Sequence, residues 1–124
     1  MSRLHLKAAL FALTLFAAPH AMADGDATKG QSLFSRCSAC HSTNSTNKVG
    51  PGLGGVVGRR SGTVAGFKYS PAMTAANLTW DDGNLDAFLK SPPALVKGTR
   101  MAGIAIAKDQ DRADIIAYLK TLAP

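Results

Sequence analysis

The sequence predicts an all-α domain of about four helices joined by long loops. Three observations predict it. Ile115, Ile116, Leu119 and Leu122, with Tyr118, recur at helical spacing near the C-terminus. Helix-start signals stand at Pro71 and at the Thr79–Asp82 pair, and Pro92-Pro93 stops the segment that follows. From Gly50 to Gly66 glycine recurs so often that only loop is expected. Loops of that length are uncommon in a small domain built from side chains alone, so part of the core is expected to be something else.

The N-terminus justifies a leader before the first helix. Arg3, His5 and Lys7 open the chain, Ala8 to Ala18 is apolar except for Thr14, and Ala21-Met22-Ala23 follows Pro19. A basic start, a short apolar run and an A-x-A end have the form of a secretory signal peptide, residues 1–23, cleaved after Ala23. The run is too short for a spanning helix, which needs about 20 apolar residues. No later apolar run is long enough either, so no membrane span is expected after cleavage. Residues 24–124 remain, 101 residues, enough for one domain. Losing Arg3 and Lys7 takes the formal net charge from +6 to +4, and all eight acids are Asp. A mildly basic exported domain suits an acidic partner surface or an anionic membrane face, and export with dispersed basic residues argues against nucleic acid.

The first helix is expected from about Ala27 to Cys37, with Gly30 and Phe34 facing the last one. It delivers Cys37-Ser38-Ala39-Cys40-His41, which holds both cysteines. C-x-x-C-H is a haem-attachment spacing. Two thiols on one helical turn can add to two vinyl groups along one porphyrin edge, and the adjacent histidine projects toward the metal. A redox C-x-x-C would need a βαβ unit, which the pattern lacks. Zinc would need a fourth ligand beyond Cys37, Cys40 and His41, since His5 and His20 leave with the leader. A disulfide here would close too small a loop to stabilise much.

The same count limits the iron's sixth position to methionine, lysine, water or none. Met101 lies in the Gly-flanked stretch Lys97–Gly103, which has little helical or strand character and can present a thioether. Met73 lies in the short helix expected after Ser70 and is read as packing. Met/His ligation raises a haem's reduction potential, as suits an electron carrier. The third helix is expected from Thr79 and the last from Asp109 or Asp111, acids favoured at a helix N-terminus.

In order along the chain stand Lys29-Gly30 to Phe34, the C-x-x-C-H motif, Lys48-Val49-Gly50-Pro51, Gly55, Gly58-Arg59, Gly62, Gly66-Phe67-Lys68-Tyr69, Trp80, Gly98-Thr99-Arg100-Met101 and Asp114 to Lys120. With these landmarks the chain resembles a class I cytochrome c, of the mitochondrial cytochrome c and bacterial cytochrome c2 group. The resemblance implies that family's fold, with loops wrapped around one covalently bound haem c held through Cys37 and Cys40 and ligated by His41 and Met101. It implies that the Pro51 carbonyl fixes the His41 ring, that Arg59, Tyr69 and Trp80 contact the haem propionates, and that the Thr99 hydroxyl lies near the methionine. Arg36, Lys48, Arg100 and Lys108, with Lys97, match positions around the exposed haem edge, where they could form a basic docking ring.

Two residues depart from the family pattern: Phe88 where a tyrosine is common and Met73 where an asparagine is common. Both remove polar groups beside the haem and are expected to alter the reduction potential and the alkaline transition.

The function expected is that of a soluble, monomeric, periplasmic one-electron carrier in respiration or photosynthesis, not an enzyme. The resemblance implies a cytochrome bc1-type donor and an oxidase or reaction-centre acceptor. A haem enzyme or gas sensor, which needs an open sixth site, and a fixed subunit of a larger oxidoreductase are the alternatives.

Overall fold

The computed structural model describes residues 24–124, so the expected leader lies outside the described residues. Among those described there are five α-helices, one 3-10 turn, and no strand beyond an isolated bridge between Arg60 and Thr79.

Helix α1 (Ala27–Leu33) starts where the Asp26 carboxylate accepts the backbone N–H groups of Thr28 and Lys29. It was expected to run to Cys37. Instead its last turn tightens into a 3-10 turn at Phe34–Arg36, closed by a 2.8 Å bond from the Cys37 N–H to the Phe34 carbonyl. The chain keeps turning, and residues 37–40 form one turn that presents both cysteines.

Helix α2 (Pro71–Ala75) is capped by Ser70, whose hydroxyl accepts the Met73 N–H. Helix α3 (Asp82–Lys90) begins later than Thr79, because Asp81 is its cap and accepts the Asn84 N–H. Thr79 and Trp80 are held extended: Thr79 pairs with Arg60, the Trp80 N–H donates to the Arg59 carbonyl, and the Trp80 carbonyl accepts from Gly58. Pro92 and Pro93 end α3 and also open a fifth helix, α4 (Pro92–Leu95). Proline suits the first turn, where its missing N–H would have no partner.

Helix α5 (Asp109–Leu119), with Asp109 and Asp111 in its first turn, crosses α1 closely. A Cβ built on Gly30 would stand 1.9 Å from the Asp114 carbonyl oxygen, so only glycine allows this approach. Gly25 is in the same position against Ala113. Phe34 meets Tyr118 edge to face at 5.3 Å. The buried Asp114 carboxylate accepts the Asp26 N–H at 2.8 Å and the Gln110 side-chain amide at 2.9 Å. These bonds hold its pKa below the usual carboxylate value, the Asp26 N–H contributing most.

Residues 50–66 form no helix. They and the segment between α4 and α5 complete walls that the helices leave open.

Candidate functional site

The walls surround one cavity of about 340 Å³, mostly apolar, floored by Phe34, Leu85, Phe88, Ile115 and Leu119. All nine residues singled out from the sequence line it: Cys37, Cys40, His41, Pro51, Arg59, Tyr69, Trp80, Thr99 and Met101.

Cys37 and Cys40 come from the turn that ends the first helical unit, and both are thiols. Burial pushes the Cys37 thiol pKa up, with neighbouring Arg36 opposing. The Cys40 and His41 N–H groups both donate to the Cys37 carbonyl, at 3.1 and 2.9 Å. His41 therefore follows on the same turn.

The imidazole is fixed on one side. His41 Nδ1 donates to the Pro51 carbonyl at 2.8 Å. A carbonyl can only accept, so Nδ1 carries the proton and Nε2 keeps its lone pair. Burial pulls the His41 pKa down, the Pro51 bond works against this, and Lys48 and Arg59 lower it further. A pKa lowered in this way favours the neutral ring, the form that a metal ligand takes. It lies on the Gly50 backbone, where a Cβ would come within 2.3 Å of Cε1. Gly50 N–H to Cys40 carbonyl (2.7 Å) and Leu53 N–H to Ser42 carbonyl (3.0 Å) bind this loop to the motif.

Two further residues hold the wall, and only one was foreseen. Arg59 donates to the carbonyls of Gly54 and Gly52, each at 3.1 Å. Burial depresses its pKa, partly offset by Tyr69. Asn47 accepts the Gly52 N–H and donates to the Ala65 carbonyl, joining both ends of the glycine-rich stretch. An asparagine among Ser, Thr and Asn residues carries no local signal of that role. Tyr69 accepts the Val64 N–H through its hydroxyl and packs edge-on against Phe67.

Met101 follows a pinned turn. Gly98 takes a φ of 95°, a left-handed conformation suited to glycine. The Thr99 N–H donates to Val96, and its buried hydroxyl accepts the Met101 N–H at 3.3 Å. Arg100 donates to the Lys68 carbonyl at 2.8 Å, joining this loop to the one before α2. Met73, on α2, lines the same cavity and is buried, as is Phe88, whose ring lies 5.0 Å from that of Trp80.

At the rim, exposed Arg36, Val49 and Arg100 line the opening. Lys48 lies beside it and donates to the Ser38 carbonyl. Lys97 and Lys108 are exposed but do not line the cavity.

The cytochrome c family model matches residues 27–123. The chain belongs to the cytochrome c family. It is 42% identical over 118 residues to cytochrome c2 of Rhodomicrobium vannielii, covering 94% of each chain. It is 50% identical over 100 residues to cytochrome c of Euglena viridis, covering 79% of this chain and 98% of that one. Among solved structures, cytochrome cH from Methylobacterium extorquens superposes with a TM-score of 0.75 at 43% identity, covering 78% of this chain and 99% of that one. The chain is thus an electron-transfer protein with the class I cytochrome c fold, not an enzyme, and its cofactor is covalently bound haem c.

The donor set of the cavity fits that group. It supplies two thiols three residues apart, a neutral imidazole with one nitrogen uncommitted, a thioether, and apolar walls. Among the described residues no three His, Cys, Asp or Glu side chains converge as a metal site.

Proposed function

We propose that His41 and Met101 ligate the haem iron, that Cys37 and Cys40 bind the haem covalently, and that the chain acts as a soluble periplasmic one-electron carrier. The observation that carries this reading is the fixed His41 tautomer beside both thiols, on a cavity that Met101 also lines. When bound, haem supplies the reversible one-electron centre. The chain's own residues hold and shield it. Pro51 orients the imidazole and raises its basicity. Arg59, Tyr69 and Trp80 offer a guanidinium, a phenol and an indole to the propionates, which need charged or hydrogen-bonding partners once removed from water. Phe34, Leu85, Phe88, Ile115 and Leu119 exclude water. Thr99 holds the Met101 backbone. No general acid or base is required, and the only described histidine is committed to the metal.

Cleavage after Ala23, leaving 24–124 as a monomeric cytochrome c domain, fits the form of the leader. Among the described residues no helix is long and apolar enough to cross a membrane. The basic rim at Arg36, Lys48 and Arg100 suits an acidic docking face on a cytochrome bc1-type donor and on an oxidase or reaction-centre acceptor. The exported protein is expected to have the mass of residues 24–124 plus one haem and to titrate as a single one-electron couple. Rapid carbon monoxide binding by the reduced protein at neutral pH would mean an open sixth site and return the enzyme or sensor alternative.

A further inference from the structure

The stretch that carries Met101 is fastened unequally. Before the methionine, Val96, Thr99 and Lys68 all take part in its bonds. After it, residues 102–105 take part in no hydrogen bond among those described, and Ala102, Gly103 and Ala105 are exposed. The chain is next held at Ile106, whose N–H donates to the Leu89 carbonyl of α3 at 2.8 Å. The carbonyls of Ile106 and Ala107 both accept from the Arg112 guanidinium, at 2.8 and 3.0 Å. Arg112 is only 2% exposed, on α5. Its Nε donates to Asp86 of α3 at 2.7 Å, and its remaining terminal nitrogen donates to Asp109. One side chain therefore joins α3, α5 and the end of the Met101 segment, with four hydrogen bonds in a planar fork that lysine cannot reproduce.

We propose that Arg112, oriented by Asp86, is a positioning residue for Met101: it closes the C-terminal end of the loop and so sets how readily an outside ligand displaces the thioether. This rests on Met101 being the sixth ligand. The physical argument is length. With Ile106 and Ala107 held, the untethered segment after Met101 is residues 102–105. With the fork broken, the Ile106 and Ala107 carbonyls are released and only the Ile106 N–H bond to Leu89 still holds that end, so the loop gains conformations in which the sulfur is away from the metal. Asp86 matters because it fixes the guanidinium plane. Asp109 is exposed, so its pair with Arg112 contributes less.

Imidazole binding to the haem-loaded, oxidised protein tests this. Asp86→Asn and Arg112→Lys keep the side-chain sizes close to native and avoid the unfolding that Arg112→Ala risks. Each is expected to bind imidazole about tenfold more tightly, the equivalent of one charge-assisted hydrogen bond. Asp114→Asn is the control. It loosens the α1–α5 crossing, and with it overall stability, without touching the loop, and is expected to leave imidazole affinity unchanged. Met101→Ala marks the fully open limit. If Asp86→Asn leaves the affinity at the wild-type value, or Asp114→Asn raises it as much, Arg112 does not position the loop. If the wild type already binds imidazole as tightly as Met101→Ala, the assignment of Met101 as ligand fails, and this inference fails with it.

Discussion

The α1–α5 crossing and the loop half of the molecule hold themselves together in different ways. At the crossing, two glycines bring backbones into contact, and Asp114 ties the start of α1 to α5. Every contact is made by the chain itself. In residues 50–66 and 97–108 the backbone is held by scattered backbone bonds, such as Gly58 to Trp80 and Ile106 to Leu89, and by side chains reaching to isolated carbonyls and amides: Arg59, Asn47, Thr99 and Arg112. These loops pack around a cavity whose donors suit haem. The crossing is a folding device, whereas the loop half is a binding device whose order depends on what it binds.

Breaking the crossing should have the largest effect. Gly30→Ala places a methyl group against the Asp114 carbonyl, where backbone must move. It is expected to cost about 3 kcal/mol or to prevent folding, read by denaturant unfolding of the haem-loaded protein. Gly58→Ala is the counterpart in the loop half. Its Cβ would meet nothing within 4 Å, although the φ of 87° strains an alanine. It is expected to cost about 1 kcal/mol. Equal losses at the two positions would erase the distinction between the regions.

A smaller effect is expected from acid. The folded Asp114 pKa lies below its usual value, so its contribution is fully present above the ordinary carboxylate range. It is lost as pH falls through the lowered folded value. Asp114→Asn should therefore lower the melting temperature at neutral pH and flatten its decline in acid. Thermal melts across that range check this; parallel curves for variant and wild type would contradict it.

The smallest effect on stability, but a measurable one on the cofactor, is expected from Phe88→Tyr. It returns a hydroxyl to a buried wall beside Trp80. A more polar surrounding favours the more highly charged oxidised iron, so the reduction potential should fall and the alkaline transition should shift. No change in either would mean that Phe88 is simple packing.

Much of this contrast was legible in the residues. Gly30, Phe34 and the spacing of Ile115, Ile116 and Leu119 announced the crossing, and C-x-x-C-H, whose His41 is the one histidine of residues 24–124, announced the site. The helix limits were less legible. Thr79 satisfies a capping pattern, but its pairing with Arg60, distant in sequence, keeps it extended and moves the cap to Asp81. Pro92-Pro93 marks a stop and a start equally well, and only the fold decides that it is both. Asn47 and Arg112 escaped notice because their partners are backbone groups far along the chain or on another element, and no local pattern encodes such partners. Lys97 and Lys108, grouped with the rim from the resemblance, are exposed and do not line the cavity.

Met73 and Met101 both line the cavity, from a capped helix and from a pinned loop respectively. The visible spectrum of the oxidised, haem-loaded protein beside Met101→Ala and Met73→Leu therefore tests the central claim most directly. The sulfur-to-iron band in the far red is expected in the wild type, retained in Met73→Leu and lost in Met101→Ala. A band that survives Met101→Ala, or is absent from the wild type, would contradict the assignment of Met101 and with it the account of the loop half as the holder of the sixth ligand.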